Sequence, residues 1–129
     1  FACGAFQGWP EFVKMAGRVW DPKKRGHDPY GPFTVQIRDA AHPVTAGLRD
    51  FATTDELYTS LTGDTPIHLL ADAVSKGDHQ PYPMAFVLEY GRGRVFLSTL
   101  GHDVAALNPE TGRLYRRATA WAAGLDPRA

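Results

Sequence analysis

Two apolar runs stand out along the chain, Met84–Tyr90 and Arg94–Leu100, each of strand length and rich in Val, Phe, Leu and Tyr. Gly91-Arg92-Gly93 separates them. So short a linker, with two residues that accept positive φ, predicts a tight antiparallel hairpin. The second run is apolar at nearly every position, the pattern of a strand buried on both faces. It ends in Gly101-His102-Asp103. An imidazole and a carboxylate therefore stand at the strand's carboxyl edge, the side on which open α/β sheets bind ligands.

The rest of the pattern is read against that hairpin. Phe33–Arg38 alternates apolar and polar residues, as a half-buried strand does, and Pro66–Ala71 reads as another strand. Asp55-Glu56-Leu57-Tyr58 fits a strand or a turn. Trp9–Gly17 reads as a short helix, with Pro10 and Glu11 in its first turn and Gly17 as its stop. Asn108-Pro109-Glu110 opens a second helix; Leu114, Ala118, Trp121 and Ala122 recur at helical spacing, and Gly124 closes it. Val19–Tyr30 and Ser75–Pro83 read as loops, and Asp39–Leu48 as a turn holding one helical turn. The fold class expected from this order is α/β with a mixed sheet.

The chain of 129 residues is the size of one domain, and residues 1–129 are read as a single unit. Fourteen basic residues balance fourteen acidic ones, which gives no footprint for nucleic acid or an anionic membrane. No apolar run approaches the roughly 20 residues that span a bilayer. The single cysteine, Cys3, forms no internal disulfide and fits a reducing compartment, so a cytoplasmic location is expected. The opening Phe1-Ala2-Cys3-Gly4 lacks an initiator methionine, as a processed or truncated chain would. Few helices are available to cover both sheet faces, which points to a missing N-terminal βαβ portion; if it is absent, an exposed apolar patch and association between copies are expected.

The candidate chemistry gathers in four places. His102 titrates near neutrality and suits proton transfer or metal ligation, with Asp103 to orient it; the alternative is a turn whose side chains bond the backbone. In the acid pair Asp55-Glu56, strand alternation puts Glu56 and Tyr58 on one face and Asp55 on the other, unless Asp55 is merely a cap. His27 lies in a loop flanked by Gly26 and Asp28, where ligand groups and solvated histidines both occur. Arg94 suits an anionic or hydroxyl-rich ligand, or a surface role. His42 before Pro43 reads as structural, and His68 and His79 as incidental. The cofactor stays open, with a divalent metal such as zinc as the candidate and His102 and His27 as its ligands, although no His-Glu-x-x-His motif is present. Cys3 reads as a small buried hydrophobe or part of a frayed end.

The segments Trp9-Pro10-Glu11-Phe12, Gly26-His27, His42-Pro43-Val44-Thr45-Ala46-Gly47-Leu48, Asp55-Glu56-Leu57-Tyr58, Tyr90-Gly91-Arg92-Gly93-Arg94-Val95-Phe96, Leu100-Gly101-His102-Asp103 and Trp121-Ala122-Ala123-Gly124 fall in one order. In that order the chain resembles the ThuA-like, or trehalose-utilisation, family from about Phe1 to Leu125. The resemblance implies a flavodoxin-like α/β sandwich similar to the class I glutamine amidotransferases. It also implies an N-terminal Rossmann-like half with a Gly-Gly-Gly…His segment, which these residues do not contain. A family-typical tryptophan before the glycine turn is absent where Ala85 and Phe86 stand. The implied role is in carbohydrate metabolism, with trehalose, a related sugar or its oxidised derivative as the small-molecule partner. An enzyme of the hydrolase or isomerase type is expected. Two alternatives stay open: a non-catalytic sugar-binding domain using Trp9, Trp20, Tyr58 and Tyr82, and a cysteine-dependent amidotransferase-like hydrolase.

Overall fold

A computed structural model of the protein describes residues 8–21, 23–24 and 26–128. Cys3 lies outside them. Helix α1 is Pro10–Ala16, followed by strands β1 (Gly31–Ile37), β2 (Phe51–Asp55), β3 (His68–Val74), β4 (Pro81–Tyr90) and β5 (Gly93–Ser98), then helix α2 (Pro109–Ala122). The strands form one sheet in the order β2-β1-β3-β4-β5.

The α/β class is as the pattern predicts. The mixed sheet is not: among the described residues every ladder is antiparallel. No helix lies between β1 and β5 in the chain, so no crossover is available to set neighbouring strands parallel. The hairpin forms as expected, with Tyr90 opposite Gly93 and Ala85 opposite Ser98.

Strand β5 differs from its prediction. It pairs with β4 alone among the described residues and so is an outer strand, half-buried along most of its length. Its unbroken apolar pattern comes instead from packing on both faces. Phe96 meets the main core under α2, while Leu97, next in sequence, joins Ala16 and Val19 under α1. Covered faces do not make a central strand; hydrogen-bonding neighbours do.

β2 is absent from the hydrophobic pattern because two of its three inward positions are polar. Phe51, Thr53 and Asp55 are buried and alternate with outward residues. β4 starts earlier than its apolar run, at Pro81. Pro83 stands opposite Asp72 of β3, and its carbonyl lies 3.4 Å from Thr99 Oγ1.

The sheet is curled. β1 gives residues 31–35 to β2 and only Gln36 and Ile37 to β3. Register shifts between Leu69 and Asp72 bend the β3–β4 ladder. Because β2, β3 and β5 run the same way, their carboxyl ends share one end of the sheet, and the curl brings the ends of the two outer strands, β2 and β5, together. Phe86, Leu57, Leu70, Met84 and Leu114 are fully buried within the fold. Asn108 caps α2 by accepting from Thr111 N (2.9 Å), and its amide donates to Ala52 O (3.1 Å), tying the helix start to β2.

Candidate functional site

Asp55 is the last residue of β2 and is completely buried. A buried carboxylate is costly unless its oxygens are satisfied. Here four donors meet it. Oδ2 accepts from Gly101 N (2.7 Å); Oδ1 accepts from Glu56 N (2.8 Å), His102 N (3.3 Å) and His102 Nδ1 (2.8 Å). Gly101 makes this possible: its φ of +98° turns the chain sharply after β5, so that two successive amides face one carboxylate. Tyr115 fixes the approach by donating to Leu100 O (2.6 Å), and burial holds the Tyr115 phenol above its ordinary range.

Because Asp55 accepts, His102 Nδ1 carries the proton and donates. The other ring nitrogen, Nε2, lies 3.9 Å from Glu56 Oε2. Tyr58 donates its hydroxyl to that oxygen (3.0 Å) and stacks its ring on the imidazole, with centroids 4.5 Å apart and 12° between planes. The stack extends outward. His27 and Tyr58 form an antiparallel bridge, which puts both side chains on one face, and their rings are 5.4 Å apart. Gly26 permits the approach, since a Cβ there would stand 2.1 Å from Thr59 Oγ1. Trp20 meets Tyr58 edge-on at 6.4 Å.

Several sequence expectations are corrected. The aspartate that holds His102 is Asp55, where Asp103 was expected. Asp103 turns away, accepting from Tyr30 OH (2.8 Å) and from Ala106 N (2.9 Å). These bonds, that from Tyr30 first, hold its carboxyl below the ordinary value, and the same contact raises the Tyr30 phenol. Asp55 does not face away from Glu56 and Tyr58. The strand ends at Asp55, so alternation no longer governs the next residues, and all three reach His102. Arg94 is the second residue of β5 and so lies at the end of that strand opposite His102, with its guanidinium 5.4 Å from the Trp121 ring centroid. Tyr82 donates to Asp78 (2.5 Å), and Trp9 stands beside Phe12, so neither joins the stack.

The metal expectation fits poorly. His102 and His27 hold Nδ1 against Asp55 and Asp28 O (2.8 Å each), which leaves Nε2 as the atom each could offer an ion. Among the described residues no three His, Cys, Asp or Glu side chains are disposed to hold an ion. What the group offers is an imidazole with one nitrogen fixed, a carboxylate beside the other, and a row of rings.

A family model described as trehalose utilisation (ThuA) matches residues 1–122. The chain belongs to the ThuA family. Among solved structures, a ThuA-like protein from Parabacteroides merdae ATCC 43184 is 25% identical, with a TM-score of 0.80; the match covers 95% of this chain and 58% of that one. A ThuA-like protein from Bacteroides uniformis ATCC 8492 is 20% identical with a TM-score of 0.68, covering 92% and 55%, and is similar in fold. The chain thus spans under two thirds of the length of these ThuA-like structures. No curated protein matches it. Among the described residues no helix is long and apolar enough to cross a membrane.

Proposed function

We propose that this ThuA-family chain carries a proton-transfer centre acting on a carbohydrate, with trehalose, a related sugar or its oxidised derivative as the substrate class. The observation behind this reading is the pair of contacts on His102: Nδ1 held by buried Asp55 at 2.8 Å, and Nε2 facing Glu56 at 3.9 Å. An imidazole held at one nitrogen by a carboxylate has a set tautomer and a set direction for proton exchange at the other. His102 Nε2 then takes or returns a proton at a sugar oxygen or at a carbon beside a carbonyl. Glu56 accepts a hydroxyl, and Tyr58 keeps Glu56 and the imidazole in place. The family description, trehalose utilisation, supports the sugar class. A sugar hydrolase or isomerase is the enzyme type this chemistry serves.

The test is turnover of trehalose and of its keto derivative by the intact protein and by His102→Ala and Glu56→Gln, with circular dichroism as the fold control. Removing a general acid–base group lowers turnover by about 10²–10⁴-fold. Full turnover in both variants would refute the reading. A second reading, a non-catalytic sugar-binding module, draws on the rings of His27, Tyr58 and His102 lying in a row. It predicts saturable sugar binding with no turnover in the wild type. Cys3→Ser retains turnover under the proton-transfer reading, and loss of turnover with retained fold would favour a thiol nucleophile.

A further inference from the structure

The end of the sheet away from His102 holds a cavity of about 590 Å³, within the range of about 300–1,000 Å³ typical of small-molecule sites. It lies where β3 begins and β4 ends, with Ile67 and Leu88 among its apolar lining and His42, His68, Glu89 and Trp121 as its remaining chemistry. One side chain, Asp39, bonds the His68 imidazole and the backbone of His42. Asp39 Oδ2 takes His68 Nε2 at 2.7 Å, while Asp39 Oδ1 accepts from Ala41 N (2.8 Å) and His42 N (3.0 Å). His42 Nδ1 in turn accepts from Val44 N at 3.3 Å. These bonds set complementary tautomers. His68 carries its proton on Nε2, which makes its Nδ1 an acceptor; His42 accepts at Nδ1, which makes its Nε2 a donor. The rings stand edge to face, 5.5 Å apart. Burial, with the His68 ring beside it, holds the His42 imidazole below its ordinary value and so favours the neutral form. Trp121 closes one side, 5.2 Å from the His42 ring.

We propose that this cavity is a second ligand site, separate from the His102 group, and that it takes a hydroxylated ring of the pyranose class. An acceptor on one lining imidazole and a donor on the other, in rings 5.5 Å apart, suit a vicinal diol, since each hydroxyl both gives and takes a hydrogen bond. Glu89 accepts a further hydroxyl, and the C–H face of the ring packs on Ile67 and Leu88. The inference stands on these contacts and does not rest on proton transfer by His102.

The experiment titrates methyl α-D-glucopyranoside into the intact protein and follows the ring carbon-bound protons of the histidines by NMR. Cyclohexylmethanol, which keeps an apolar ring but lacks the diol, is the control. His42 and His68 signals are expected to shift saturably with the glucoside and not with the control. His68→Leu and His42→Gln are each expected to weaken binding about tenfold, the loss of one neutral hydrogen bond or somewhat more, with the amide fingerprint showing an unchanged fold. His102→Ala is expected to bind as the wild type does. The proposal is overturned if His42 and His68 do not shift, if neither substitution weakens binding, if the control binds equally well, or if His102→Ala abolishes the shift. Any of these leaves the reading of His102 to its own turnover test.

Discussion

Among the described residues two aspartate–histidine pairs of nearly equal length stand at opposite ends of the sheet, in different surroundings. Asp55 meets His102 at 2.8 Å and Asp39 meets His68 at 2.7 Å. The Asp55 side chain is 0% exposed and that of His102 22%; for Asp39 and His68 the figures are 26% and 55%. The first pair uses Nδ1 and also gathers three backbone amides; the second uses Nε2 and stands at a cavity wall. Distance alone would rank them alike. Burial separates them, because a carboxylate removed from water depends on every donor it has, whereas an exposed one is rescued by solvent.

The comparison is broken most severely at Asp55. Asp55→Ala leaves the amides of Gly101, His102 and Glu56 and the His102 Nδ1–H without their acceptor, and we expect a loss of about 3–5 kcal/mol in urea unfolding. A loss below about 1 kcal/mol would mean that the buried end is no more dependent on its aspartate than the exposed one. Next comes Tyr58→Phe, which keeps the stack on His102 but deletes the bond to Glu56. About 1 kcal/mol is expected, with the His102 ring signals retained in NMR. Arg94→Ala at the far end removes one exposed cation–π contact; roughly 0.5–1 kcal/mol is expected, with no change in His102 signals.

A pH titration sharpens the contrast further, with the smallest effect on stability. The Tyr30 hydroxyl lowers the Asp103 carboxyl in the folded state. A carboxyl lowered by folding contributes stability that is present above its unfolded pKa and is lost as pH falls through the folded value. Tyr30→Phe should therefore raise the Asp103 pKa toward the ordinary carboxylate value, so that this contribution shrinks and fades at a higher pH on acidification. Carboxyl-carbon NMR reads the shift directly. An unmoved Asp103 would show that the Ala106 amide, and not Tyr30, sets it.

How much of this was legible in the sequence follows from where the signals are apolar. The hairpin, both helices and the His102 turn were readable because Val, Phe and Leu runs, a glycine turn and the Asn108-Pro109 start are local signals. β2 was not, because Thr53 and Asp55 face inward and carry no hydrophobic period. Asp103 looked like the partner of His102 because it is adjacent in sequence. The true holder is 47 positions away, and only the curl of the sheet brings β2 to the end of β5. Arg94 looked like a ligand group because it begins an apolar run, yet it lies at the end of β5 opposite His102. The pairing of His42 with His68 was hidden for the same reason, since Asp39 joins them through a strand start 29 residues on.

Asp55, and not Asp103, holds the His102 imidazole, and the proposed proton exchange depends on that hold. Long-range ¹⁵N–¹H NMR on the imidazole of His102 tests it without a substrate. The account predicts that at neutral pH Nδ1 carries a proton, and that Asp55→Asn disturbs this tautomer while Asp103→Asn leaves it as in the wild type. A neutral ring protonated at Nε2, or a tautomer that changes with Asp103→Asn and not with Asp55→Asn, would contradict it.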